Sequence, residues 1–214
     1  VWDRDQEPAE KVATSIRSQG GEAIAITGDV SDSASVASNA SRVLDQFGQV
    51  QILVNNAGFS RIAPIAEMTD AQWGDVIDTC LTGTFYCSRA FVPVMRRQQY
   101  GRIINISSRA ARGDVNKVSY SAAKAGLIGF TKALAMELGP DKITVNAIAP
   151  GSVPTERVRK NPNYAGDSAR AKDSLVQRVG TTWDMARGVL FLASPDAGFV
   201  TGDVMMIAGG RGGL

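Results

Sequence analysis

Three consecutive stretches decide the fold class: Arg102-Ile-Ile-Asn-Ile106, Ser119 to Leu138, and Lys142-Ile-Thr-Val-Asn-Ala147. The first and third are short apolar runs that read as strands. The middle stretch has helical period and is stopped by Gly139-Pro140. A strand, a long helix and a second strand make a parallel unit, because a hairpin turn cannot span that connection.

The same alternation extends outward. Ala9 to Gln19 is helical and ends at Gly20-Gly21, and Ala23-Ile-Ala-Ile-Thr27 reads as a buried strand. Ser33 to Phe47 is helical, with Ser31 or Ser33 as its cap. Val50 to Val54 is a strand halted by Asn55-Asn-Ala-Gly58. Thr69 caps a long helical stretch from Asp70 to Gln98. Toward the end, Asp184 to Leu192 is a helix and Val204 to Ile207 the last strand. This is an α/β pattern, a doubly wound parallel sheet with helices on both faces. Such sheets bind ligands at the carboxyl ends of their strands. Asp29, the Asn55–Gly58 turn, Ser108 and Pro150-Gly151 all fall there.

Composition narrows the function classes. The 214 residues are 44% hydrophobic and 21% charged, which suits one globular domain with a sizeable core. A net charge of +2 argues against a nucleic-acid surface. No apolar run approaches the ~18 residues of a membrane span. The start, Val1-Trp-Asp-Arg-Asp5, is unlike a secretory leader. Cys80 and Cys87 stand seven apart in one helical pattern, about 10 Å along its axis, too far for a disulfide. A reduced, cytoplasmic setting follows. With no histidine and two cysteines, no metal site is expected.

Tyr120-Ser-Ala-Ala-Lys124 carries the chemistry. Residues four apart share a helix face. An ammonium there is expected to lower the pKa of the phenol. A phenol so tuned can exchange a proton with an alcohol or a ketone. Ser108, twelve residues before Tyr120, can hold the substrate oxygen; Ser107 is the competing candidate.

Taken in order, these residues resemble the short-chain dehydrogenase/reductase family. The matching elements are Asp29-Val30, Asn55-Asn-Ala-Gly58, Ser108, Tyr120-x-x-x-Lys124, Asn146, Pro150-Gly-Ser-Val-Pro-Thr155 and the closing Val200-Thr-Gly-Asp to Ala208-Gly-Gly210. The resemblance spans essentially the whole chain, and Ala122 to Thr131 looks like the 3-oxoacyl-carrier-protein reductase branch. It implies a Rossmann-like fold and hydride transfer between NAD(P) and a carbonyl or alcohol substrate. Ser108, Tyr120 and Lys124 are the implied catalytic residues. The implied cofactor contacts are Asp3, Asp29, Val30, Asn56, Ala57, Gly58, Tyr120, Lys124, Pro150, Gly151, Val153 and Thr155. Asp3, at a strand end, suits the ribose hydroxyls of NAD, while Arg4 beside it would suit NADP. The polar stretch 156–172 is the implied substrate lid, and a homotetramer built on the long helices is the implied assembly. Asn146 reads as a structural hydrogen-bonder, and Trp73, Trp183 and Phe191 as core or helix-interface residues.

Two departures from the family pattern stand out. The family opens with a strand, a T-G-x-x-x-G-x-G turn and a helix, whereas Val1-Trp2-Asp3 here looks like the end of the second strand. The expected fold therefore lacks the first strand, the glycine-rich loop and the first helix. Both flanking strands should then lose ladder bonds and expose core surface. A second reading follows, a non-catalytic fragment acting in folding or assembly, which a dinucleotide titration would distinguish. The other departure is Cys80, where the family usually has an asparagine that helps hold a proton-relay water.

Overall fold

The computed structural model describes residues 1–160 and 164–210. Six strands are described: β1 (Trp2–Asp3), β2 (Ile26–Thr27), β3 (Ile52–Asn55), β4 (Gly101–Ile106), β5 (Ile143–Pro150) and β6 (Val204–Ile207). Every pairing is parallel. The helices are α1 (Gln6–Ser18), α2 (Ser33–Phe47), α3 (Asp70–Ile77), α4 (Gly83–Gln98), α5 (Val118–Leu138), α6 (Glu156–Arg159), α7 (Asp167–Ala171) and α8 (Thr182–Ala193).

Neighbouring isoleucines on β4 show how the sheet is covered. Ile103 packs with Phe91 and Met95 of α4 and Leu138 of α5. Ile104 points the other way, against Ile148 of β5 and Leu192 of α8. Side chains alternate across a strand, so an uninterrupted apolar run fits a sheet buried on both faces. Each such fully buried isoleucine contributes about 1.5–3 kcal/mol relative to exposure.

The strands form two ladders, β1-β2 and β3-β4-β5-β6. Among the described residues, β1 and β3 thus each have one unpaired edge. Ile52 and Val54 on β3 are 45% and 39% exposed.

Several elements differ from the sequence reading. The second strand covers only Ile26–Thr27. Asp32, rather than Ser31 or Ser33, caps α2, accepting from the Ala34 N–H at 2.9 Å. Its carboxylate is the stronger acceptor for an orphan N–H. Thr69 caps α3 in a capping box with Gln72. The long stretch from Asp70 is broken by a π-helical turn at Asp78–Thr82. Trp73, Trp183 and Phe191 are 40%, 68% and 44% exposed, so they are not core residues; nothing in the helical period distinguishes a half-exposed aromatic from a buried one. Stretch 156–172 holds α6 and α7, and its residues 161–163 lie outside the described residues. Among the described residues no helix is long and apolar enough to cross a membrane.

Candidate active site

Three loops leave the sheet side by side at its carboxyl edge. Asn55 of β3 is in register with Asn105 of β4. The Ser107 N–H bonds the Ile148 carbonyl of β5 at 2.7 Å. This aligns the Asn56–Gly58 turn, Ser107-Ser108 and Pro150-Gly151. Tyr120 and Lys124 approach the same edge from the first turns of α5.

The two serines have different partners. Ser107 is buried and donates to the Lys124 carbonyl at 2.8 Å, bracing α5 against β4. Ser108 is half-buried; its Oγ accepts from the Ala110 N–H at 3.1 Å, and its hydroxyl lies near enough to the Tyr120 phenol to lower the phenol's pKa. The geometry therefore pairs Ser108, not Ser107, with the tyrosine.

Lys124 is 3% exposed. Its Nζ donates to the Ile106 carbonyl at 2.6 Å and lies 5.5 Å from the centre of the Tyr120 ring. Burial lowers the lysine pKa below its ordinary value. The Tyr120 phenol is raised by burial, which outweighs the lowering effect of the nearby Ser108 hydroxyl. The spacing of the two residues predicts an ammonium that pulls the phenol down. The net shift runs the other way, because the amine is turned toward Ile106 and both groups are desolvated.

Cys80 occupies the π-helical turn and packs with Val76, Ala123 and Tyr120. Its Sγ lies 3.5 Å from the Phe59 carbonyl. A Cβ placed on Gly58 would come within 3.0 Å of Cys80 Sγ and 3.3 Å of Lys124 Nζ. Glycine therefore keeps the turn backbone close to the lysine. Asn56, Ala57 and Gly58 are exposed, open to a ligand along this edge.

The remaining candidates divide between the two ladders. Asp29 follows β2; its Oδ1 accepts from the Ser31 N–H at 2.8 Å and the Ser31 hydroxyl at 2.7 Å. Those bonds hold its pKa below the ordinary carboxylate value and leave Oδ2 for another donor. Val30 packs on Gly83 at the start of α4. Asp3, at the end of β1, is exposed, and its Oδ1 accepts from the Asp5 N–H. Beyond Pro150, the Gly151 N–H bonds the Ile207 carbonyl at 3.0 Å, and Val153 packs by Gly180. Thr155 is exposed at the start of α6 and makes no side-chain cap bond.

Comparison with known proteins agrees with this architecture. A family model described as enoyl-(acyl carrier protein) reductase matches residues 1–211. The chain belongs to the short-chain dehydrogenase/reductase family. An acetoacetyl-CoA reductase of Rhizobium meliloti is 46% identical over 86% of this chain and 76% of its own length. A 3-oxoacyl-(acyl-carrier-protein) reductase of Pseudomonas aeruginosa is 40% identical over 94% of this chain and 82% of its own. A solved structure of a proposed gluconate dehydrogenase from Agrobacterium tumefaciens superposes with a TM-score of 0.92 at 29% identity, covering 100% of this chain and 85% of that one. The chain is thus an oxidoreductase of the NAD(P)-dependent short-chain class.

Sequence reasoning missed the support beneath this candidate site. Asn55 Nδ2 donates to Asn105 Oδ1 at 2.9 Å and to Ser88 Oγ at 3.3 Å. Asn105 Nδ2 donates to Thr131 Oγ1 at 2.9 Å, and Thr131 donates to the Leu127 carbonyl at 2.7 Å. The chain of bonds ties β3, β4, α4 and α5 together. An asparagine within Ile-Ile-Asn-Ile was the available signal, since a buried amide needs partners. Asn146 bonds the Val200 carbonyl and the Asp203 N–H, as expected of a structural residue.

Proposed function

We propose that this chain reduces the ketone of a 3-oxoacyl thioester, using Ser108, Tyr120 and Lys124. The Ser108 hydroxyl near the Tyr120 phenol, beside buried Lys124, carries the reading. The substrate class is taken from the names of the two thioester-reducing relatives.

The nicotinamide dinucleotide, when bound, supplies or accepts the hydride. The residues on hand suit its adenosine and nicotinamide halves. Asp29 Oδ2 is available for the adenine edge, with Val30 packed below. The exposed Asn56–Gly58 backbone suits the adenosine side, and Lys124 the nicotinamide ribose. Pro150, Gly151, Val153 and Thr155 are assigned to the nicotinamide side. Exposed Asp3 favours NAD, because a carboxylate accepts ribose hydroxyls and repels a 2′-phosphate.

Ser108 and Tyr120 both donate to the substrate carbonyl oxygen. As hydride reaches the carbonyl carbon, the C=O π bond breaks and Tyr120 passes its proton to the oxygen, giving the alcohol. A phenol raised above its ordinary pKa is protonated at neutral pH, which suits this direction. Lys124 places a cation near the phenolate so formed. Stretch 156–172 is assigned as the substrate lid, and α4 and α5 as the seams of a homo-oligomer. Exposed Phe85 and Met136 on those helices support the second assignment. A purely monomeric mass by light scattering would remove it.

Tyr120→Phe is the direct test, with acetoacetyl-CoA and reduced dinucleotide as reactants. Turnover should fall by at least roughly 10²-fold while the far-UV spectrum is unchanged. Retention of most of the activity would overturn the mechanism.

A further inference from the structure

Arg170 on α7 is a lid cation to which the proposed reduction gives no role. Its NH1 donates weakly to Ser152 Oγ at 3.4 Å, and its guanidinium lies over the Tyr164 ring, 5.2 Å from the centre. Its Nε is buried and makes no hydrogen bond to any described residue. No carboxylate among the described residues pairs with it. The nearby Asp167 is taken by Arg159 at 2.7 Å and by the Tyr164 hydroxyl. A buried guanidinium N–H without an acceptor is uncommon in a native fold.

Arg170 also lines a cavity of about 160 Å³, bounded by Gly151, Ser152, Ser174, Ala208 and Gly209. That is room for about five waters, or for a small acid group with a few carbons. Two carboxylates reach its wall. Asp184 is bound by Arg178 at 2.7 Å and by the Thr181 cap, and Asp173 is exposed at the rim.

The cavity is built rather than accidental. The Gly209 carbonyl accepts from Ser174 Oγ at 3.0 Å and the Leu175 N–H at 2.8 Å, clamping the chain that follows α7 onto the end of β6. Gly209 has φ +60°, and a Cβ there would lie 2.2 Å from Ser174 Oγ, so the clamp needs glycine. The floor, Gly151-Ser152, leaves β5 beside the β4 end that carries Ser108. Adjacent strands are about 5 Å apart, so the cavity floor and the Ser108 loop leave the same end of the sheet.

We propose that this cavity binds a carboxylate carried by the substrate, with Arg170 as its specificity-determining residue. The proposal rests on the reductase reading for its biological meaning but not for its test. A carboxylate can accept from two guanidinium N–H groups in one plane, which suits arginine better than lysine. Ser152 then supplies a third donor.

Calorimetric titration of the full chain with glutarate tests the binding, with the uncharged glutaramide as control. Glutarate should bind and glutaramide should not. Arg170→Met should weaken glutarate at least roughly tenfold, and Arg170→Lys should retain part of the affinity. Equal affinity in Arg170→Met, or no glutarate binding by the unaltered chain, overturns the proposal. A melting curve for each variant separates lost binding from lost folding. Reduction of acetoacetyl-CoA by the unaltered chain is measured alongside. Its failure would defeat the reductase reading, while the titration would still decide the anion site by itself.

Discussion

Substituting the adjacent serines one at a time separates support from chemistry. Ser107→Ala removes one buried hydrogen bond to the Lys124 carbonyl. That carbonyl lies within α5, whose own ladder continues to bond it, so little is left unsatisfied. The expected cost is about 1 kcal/mol. Ser108→Ala removes the acceptor for the Ala110 N–H at the start of a short turn, also about 1 kcal/mol. For a chain of this size each should lower the melting temperature by roughly 2–4 °C. The two variants thus serve as stability-matched controls for each other. Activity should divide them. In the proposed mechanism Ser108 donates to the oxygen where charge develops, and losing such a donor costs roughly 10²–10³ in kcat/KM. The Ser107 hydroxyl bonds the Lys124 carbonyl of α5, so its loss should cost under about tenfold. The assay is initial-rate reduction of acetoacetyl-CoA followed by dinucleotide absorbance, with melting curves on the same preparations. Equal losses, or a larger loss for Ser107→Ala, would refute the assignment of the oxygen-binding role to Ser108.

Three further outcomes follow from the geometry. Asp3→Ala should shift cofactor preference toward NADP by roughly tenfold or more, read from kcat/KM with each dinucleotide; unchanged preference would remove Asp3 from the ribose site. Lys124→Met should abolish turnover yet raise the melting temperature at pH 7. The folded lysine pKa is depressed, so the unfolded chain binds the extra proton and native stability rises with pH up to about 10.4. The gain from Met should accordingly shrink toward that pH, and a gain that stays constant would contradict this account. Gly151→Ala should destabilise by about 1–3 kcal/mol in urea melts, because its Cβ would lie 2.7 Å from the Ala208 backbone Cα, which cannot rotate away.

The alternation of strand and helix was legible because its signals are local. The Gly139-Pro140 stop and the Thr69 cap act within a turn of the residues they govern. The strands themselves fall into two ladders, β1-β2 and β3-β4-β5-β6. The site's electrostatics were not legible. Spacing puts Tyr120 and Lys124 on one face, but only the fold shows that both are desolvated and that the amine faces Ile106. The π-helical turn at Cys80 was hidden as well, since one extra residue in a helix leaves almost no trace in the period. Arg170 was not singled out in the sequence, because the lack of an acceptor at its Nε is a property of the fold and not of the neighbouring residues.

Lys124 gives the best reason to read this edge of the sheet as a working site. Core packing alone would favour an apolar side chain at a position 3% exposed. Instead the fold buries an amine there, with the Ile106 carbonyl as its described hydrogen-bond acceptor. A structural lysine in that setting would be expected to have a carboxylate partner, and none of the described ion pairs includes it. Ser107 and the Asn55–Asn105–Thr131 chain of bonds hold α5 and β4 in the register that keeps the amine at this depth. The proposed mechanism accounts for that expense in stability: it uses the charge where negative charge appears, on the oxygen of Tyr120 as its proton departs. The same reasoning makes the Lys124→Met melt informative. A variant more stable and inactive fits a charge kept for chemistry, whereas a less stable one would mean the amine is a structural anchor.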